Sequence, residues 1–216
     1  MGLWSWDSAS RRYRVTAEGA ATLNQTAGTF VGQKKMLDFR EQIIASSKER
    51  VNGLSAKLSK GDINLNQWTL AMRQEIKDNF INQYMLAHGG RNTMSQADWG
   101  RVGHMVRNQY QYLDRFATDI AGGRYNESAV ASRARMYAEA SSQAFERSKV
   151  AARGMPDMPQ YPGAGNTPCL SNCKCYWDIK ENDKEWLCYW TLTPTENCAG
   201  CITNATTWNP LVVPKL

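Results

Sequence analysis

Between residues 33 and 155 apolar side chains recur at helical spacing. Leu37, Ile44, Val51 and Leu58 return every seven residues, with Met36, Ile43 and Leu54 beside them. This is the stripe of an amphipathic helix over about 33–58. The polar run SKGD at 59–62 interrupts it. Trp68, Met72, Ile76, Phe80 and Tyr84 then fall at steps of four and predict a second helix over 65–88. Gly89 and Gly90 stop it by admitting the left-handed backbone of a helix end. A third helix opens at Ser95, where Asp98 three residues on resembles a capping box. It lines Trp99, Val102, Val106, Tyr110, Leu113, Phe116 and Ile120 along one face, up to Gly122 and Gly123. The fourth runs from about 126–128 to 153, with Val130, Ala134, Tyr137, Ala138, Ser141 and Phe145 inward and Gly154 as its stop. Small residues on that face let helices approach closely.

The flanks read differently. Residues 1–32 show no helical period yet hold Trp4, Trp6, Tyr13 and Phe30. They predict an extended arm whose aromatics dock on the body or on a neighbour. The stretch 154–169 carries four prolines and three glycines and reads as a linker or wrapped strap. Beyond it, KCYWDI and EWLCYWTL alternate large residues with a period of two, and 181–184 are turn formers. That is a β-hairpin. With Asn182 and Asp183 at the turn, Cys175, Trp177, Cys188 and Trp190 share one face. The tail TNATTWNPLVVPKL holds two prolines and is expected to be extended. The expected fold is mainly α: an N-terminal arm over 1–32, a four-helix body over 33–154, a Pro/Gly linker over 155–168, and a small cysteine-rich β-hairpin module, zinc-ribbon-like, over 169–216.

All six cysteines lie in that last module, at spacing C-x3-C-x-C-x12-C-x9-C-x2-C. The closing Cys198-x2-Cys201 pair lets two thiolates reach one tetrahedral ion from a tight turn. Four ligands suffice, so two cysteines are extra. Cys198 and Cys201 form the first pair. Cys169 and Cys173 are the favoured second pair, with Cys175 and Cys188 as alternates. The expected ion is zinc in a structural role; disulfides and free buried thiols are the competing uses of the same residues. A segment of this size rarely folds on its own core, which favours a cross-link.

Charge divides the chain in the same place. Residues 1–155 carry a net +8 and residues 156–216 a net −2. A basic helical surface attracts nucleic acid or acidic proteins, and it is also what an ordinary solvated helix face looks like. Mean hydropathy is −0.56, and no apolar run approaches the ~20 residues of a membrane helix. The opening MGLWSWDSASRRYR does not read as a secretory signal, so synthesis in a cytoplasm is expected, where cysteines are reduced or metal-bound. No phosphate-loop, dinucleotide or His-Glu-x-x-His pattern occurs. His88 and His104 read as structural, and Trp177, Trp186, Trp190 and Trp208 read as core before they read as base-stacking platforms. No catalytic residue is expected.

Four blocks in fixed order resemble the minor head, or head-morphogenesis, proteins of tailed bacteriophages. They are RYRVTAEGAATLNQTAGTFVG; KGDINLNQWTLAMRQEIK; AHGGRNTMSQADWGRVG with YQYLDRFATDIAGG and SRARMYAEASSQAFER; and TPCLSNCKCYW with WLCYWTLTPTENCAGC and WNPL. Thr29 stands where such proteins commonly have Arg. Mu-type members end in a His-Pro-x-Cys-x-Cys pattern that this chain lacks. The resemblance implies a structural virion protein, oligomeric within the phage head. Its implied partners are portal, capsid or scaffold proteins, with packaged DNA as a further contact and no membrane. The alternative is a nucleic-acid-binding protein that contacts viral DNA through the basic helices.

Overall fold

The computed structural model describes residues 2–194 and 196–215. Strands β1 (Trp4–Asp7) and β2 (Arg12–Val15) precede a short helix, α1 (Ala17–Leu23). The body follows as α2 (Gln33–Ser59), α3 (Leu65–His88), α4 (Gln96–Ala121), α5 (Glu127–Ala140) and α6 (Ser142–Ala151). The C-terminal part holds β3 (Tyr176–Glu181), β4 (Glu185–Thr191), α7 (Ala199–Thr207) and β5 (Leu211–Pro214). The fold is mainly helical with a small antiparallel sheet at the C-terminal end, as the periodicity predicts.

The expected stripes form the main core. Trp68, Met72, Ile76, Phe80 and Tyr84 of α3 are buried against Val102, Leu113 and Phe116 of α4 and Val130, Ala134 and Tyr137 of α5. Each large apolar side chain removed from water contributes roughly 1.5–3 kcal/mol. The starts of α3 and α4 are set by side chains. Ser95 and Asp98 make the expected capping box, and Asn64 with Gln67 makes a second one. Gly89 closes α3 at φ 105.

The N-terminal arm is a correction. Residues 4–15 pair as an antiparallel hairpin with Trp4 opposite Val15 and Trp6 opposite Tyr13. Trp4, Tyr13, Val15 and Leu23 are buried with Met36, Leu86 and Phe145 in a core cluster of their own. The aromatics dock on the chain's own body. Two glycines show how closely. A Cβ on Gly19 would lie 2.0 Å from the Leu3 carbonyl oxygen, and one on Gly2 would lie 2.1 Å from that of Gly89. Backbone lies on backbone at both places, and only glycine fits. The hairpin escaped the sequence because each strand is four residues long, and because Arg11 rather than Gly or Asn takes the left-handed turn position at φ 54.

Two further expectations change, and a third narrows. The fourth helix is broken at Ser141, whose hydroxyl donates to the Ala138 carbonyl at 2.7 Å and competes with the helix ladder. Of the two readings of the Pro/Gly stretch, the strap is the one seen: Met155, Met158 and Tyr161 are buried with Trp177, whose indole N–H donates to the Gln160 carbonyl at 3.0 Å. The tail is extended only at β5, which joins the hairpin to give the sheet order β3-β4-β5. Residues 199–207 are helical although threonine-rich, a composition of weak helix propensity. Glu181 sits between the chain's two flanks. It pairs with Arg11 at 3.5 Å and Lys215 at 3.2 Å, and Arg11 also pairs with Asp183. Among the described residues no helix is long and apolar enough to cross a membrane.

Trp4→Ala is expected to lower stability by about 3–5 kcal/mol in urea unfolding, the cost of emptying a buried aromatic site. A loss below about 1 kcal/mol, the scale of an ordinary surface change, would show that the hairpin is not part of the core.

Candidate metal centre

Two segments bring the cysteines together. The strap ends in a 3-10 turn at Leu170–Asn172, with Cys169 before it and Cys173 after it. Leu170 holds φ 51, which folds the chain back sharply. Opposite, Cys198 is the N-cap residue of α7 and Cys201 lies in its first turn. The Cys-x2-Cys pair therefore sits on a helix start rather than in a free-standing turn. Gly200 lets the helix settle on the strap, since a Cβ there would lie 2.8 Å from the Pro168 ring.

The sulfurs form a line of contacts. Cys198 Sγ is 3.4 Å from Cys169 Sγ, Cys169 Sγ is 3.6 Å from Cys201 Sγ, and Cys201 Sγ is 3.5 Å from Cys173 Sγ. The thiols of Cys169, Cys173 and Cys201 all lie within 4.8 Å of one another. A tetrahedral ion with metal–sulfur bonds of ~2.3 Å sets its sulfurs ~3.8 Å apart. A disulfide would set them at ~2.05 Å. The observed spacings are too long for disulfides; they match thiols in van der Waals contact, with Cys169, Cys173 and Cys201 within reach of one ion and Cys198 joined to them through Cys169. All six cysteines are free thiols.

Local electrostatics favour thiolates at two positions. The Cys175 thiol hydrogen-bonds Cys173 and pulls it down to about 5. Burial works to raise Cys198, but the backbone N–H groups of Cys201 and Cys169 and the thiols beside it bring it down to about 7. Burial pushes Cys169 up to about 11 and raises Cys201 further. Thr167 Oγ1 lies 3.1 Å from Cys169 Sγ.

The two alternates occupy different surroundings. Cys175 is buried beside Cys173, and its thiol donates to Asn197 Oδ1 at 3.6 Å. Cys188 faces Ile179 across the sheet and takes no part in the sulfur contacts among the described residues. Burial raises it to about 11. Cys175, Trp177, Cys188 and Trp190 are all buried on the core side of the sheet, the face the period-two pattern assigns them. Trp177, Trp190 and Trp208 pack on one another at ring separations of 5.3–5.7 Å. His88 lies 3.3 Å from Asp98, and His104 lies 3.3 Å from Asn108. Neither belongs to the cysteine group.

A buried ionic cluster, not foreseen in the sequence, seats this module on the helices. Glu146 of α6 is 0% exposed. It pairs with Arg40 of α2 at 3.1 Å and with Lys149 at 2.9 Å, and it accepts the Trp177 backbone N–H at 3.0 Å. Lys149 donates to the Trp177 carbonyl at 2.7 Å, and Arg40 to the Lys174 carbonyl at 3.3 Å. Lys174 pairs with Glu41 at 2.9 Å and Glu139 at 2.6 Å. In sequence these charges are ordinary helix residues. The only signal was that Glu146 follows the inward Phe145 and so lies near the buried face.

No family model, no curated protein and no solved structure matches the chain.

Glu146→Ala leaves Arg40 and Lys149 buried without their shared carboxylate. It is expected to cost about 3–5 kcal/mol. Denaturant unfolding should show helix signal and tryptophan fluorescence lost at the same, lowered midpoint. Tryptophan fluorescence lost alone would show that the cluster stabilises only the module.

Proposed function

We propose that this chain is a structural protein of a tailed-phage head whose C-terminal module is stapled by zinc. The observation that carries the proposal is the line of four thiols at 3.4–3.6 Å, drawn from the strap and from the start of α7. Cys169, Cys173, Cys198 and Cys201 would hold the ion. An all-thiolate set is soft and suits zinc, and four sulfurs leave no open position for a substrate. What zinc supplies in such a site is folding free energy. The role left to the protein is to present surfaces, which supports an assembly function over a catalytic one.

The phage setting rests on the four ordered blocks. In the fold their residues lie at joints. Tyr13 and Val31 of the first block are buried in the N-terminal core cluster. Trp68 of the second is at the centre of the main core. The third holds the Ser95–Asp98 cap, and the fourth holds the thiols. Assembly through portal, capsid or scaffold proteins follows from that setting.

A second reading, contact with viral DNA, draws on one surface feature. Phe30 is 45% exposed, and the Arg12 and Arg14 guanidiniums lie 4.7 and 4.6 Å from its ring centre. An exposed ring with cations beside it can stack on a base while the cations meet phosphates.

Protein purified without added metal is expected to carry one zinc per chain by elemental analysis. Cys201→Ser should abolish it and release the packed tryptophan signal while far-UV helix signal persists. A zinc content near zero in reduced protein would remove the metal reading. Mass spectrometry of purified particles is expected to find the chain in heads or assembly intermediates. Its absence from both, together with DNA binding whose logarithm falls by several units per decade of salt, would transfer the proposal to the nucleic-acid reading.

A further inference from the structure

We infer that the four thiols are also a modification site for two-electron oxidants of the peroxide class, which convert them into two disulfides in one pairing, Cys169–Cys198 and Cys173–Cys201. The inference deepens the zinc reading and rests on it for the reduced state. The pairing rests on sulfur geometry alone. Contacts run from Cys198 to Cys169 at 3.4 Å, from Cys169 to Cys201 at 3.6 Å, and from Cys201 to Cys173 at 3.5 Å. Cys198 also lies beside Cys201, but a bond there would stay within the start of α7 and leave Cys169 and Cys173, which make no sulfur contact with each other among the described residues. Joining Cys169 to Cys201 would use the two middle sulfurs and strand the outer two. Cys175 also lies against Cys173, but a bond between them would leave Cys201 without a partner and would not tie the strap to α7. In the inferred pairing both bonds join the strap turn to α7, the same two segments that the ion joins.

Access sets the order. Cys169 and Cys198 are partly exposed, whereas Cys173 and Cys201 are buried. The Cys169–Cys198 pair therefore meets oxidant first. The Cys198 thiolate attacks a peroxide oxygen, the O–O bond breaks, and hydroxide leaves and is protonated to water. The sulfur is then a sulfenic acid. The Cys169 thiolate attacks that sulfur, the S–S bond forms, and a second hydroxide departs and is protonated. Two electrons have passed from the two cysteines to one peroxide. A second peroxide does the same to Cys173 and Cys201. Four thiolates have become two disulfides, and the ion leaves as a divalent cation.

The test is titration of the zinc-loaded full chain with hydrogen peroxide. A chromogenic chelator follows metal release, and peptide mass spectrometry after alkylation maps the bonds. Cys169–Cys198 is expected first and Cys173–Cys201 second, with one ion released and the near-UV tryptophan signal retained. Cys188 should remain reduced. Dominant Cys169–Cys201 or Cys173–Cys175 bonds, or sulfinic acids in place of disulfides, would overturn the inference. In Cys198→Ser, Cys169 should turn to Cys201 instead; if that variant does not fold, the order of bonds in the unaltered chain decides. Reduced protein that binds no zinc yet forms the two pairs would sink the metal reading and uphold this one. Zinc binding followed by another pairing would do the reverse.

Discussion

The structure depends on one carboxylate with no access to water. Arg40, Lys149 and the Trp177 backbone N–H surround Glu146 and supply its partners in the interior. Each partner comes from a different place: Arg40 from the first long helix, Lys149 from the next turn of its own helix, and Trp177 from the cysteine-rich sheet. Removing any one partner leaves charge in a low-dielectric site, which is far more costly than losing an apolar contact. Lys149 shows the same tension, since burial pulls its protonation down while Glu146 pulls it up. The cluster is a weak source of net stability. Its demand for three simultaneous partners specifies how the helices and the sheet meet.

That demand changes how the cysteine site is understood. The thiols are brought together by a strap turn and a helix start, and both rest on a sheet whose position is set by Glu146. An ion there would close the far side of a module already fastened on its near side. The tryptophans between the two fastenings fill the space, with Trp177 serving both: its ring packs under Trp190 and Trp208 while its backbone meets Glu146 and Lys149.

The sequence showed much of the fold because the body is built from long amphipathic helices. A stripe such as Trp68 to Tyr84 repeats often enough to outweigh local noise, and a two-residue alternation anchored by Trp177 and Trp190 does the same for the hairpin. The capping residue Ser95 and the stop at Gly89 act through local geometry, so they could be read directly. What stayed hidden depends on distance in the chain. The N-terminal hairpin has too few residues per strand to show a period, and its glycines signify contact with backbone elsewhere. Arg40, Glu146 and Lys174 look like solvated charges until residues over a hundred positions apart are brought together. The cysteines were visible as a cluster by spacing. That Cys198 would sit on a helix start and Cys188 would stay out of the sulfur contacts required the fold.

Glu181 carries a mechanical consequence. One carboxylate holds Arg11 from the first hairpin and Lys215 just past the last strand. The two flanks of the chain therefore meet through Glu181, beside the pair of Arg11 with Asp183. Tension applied between those flanks would load the ion pairs at the clasp first, while the helices beneath stayed at rest. The clasp is partly open to solvent and would yield at forces that leave the core intact. The chain thus has a point of compliance at its perimeter, where a small extension can be absorbed without disturbing the buried cluster that determines the fold.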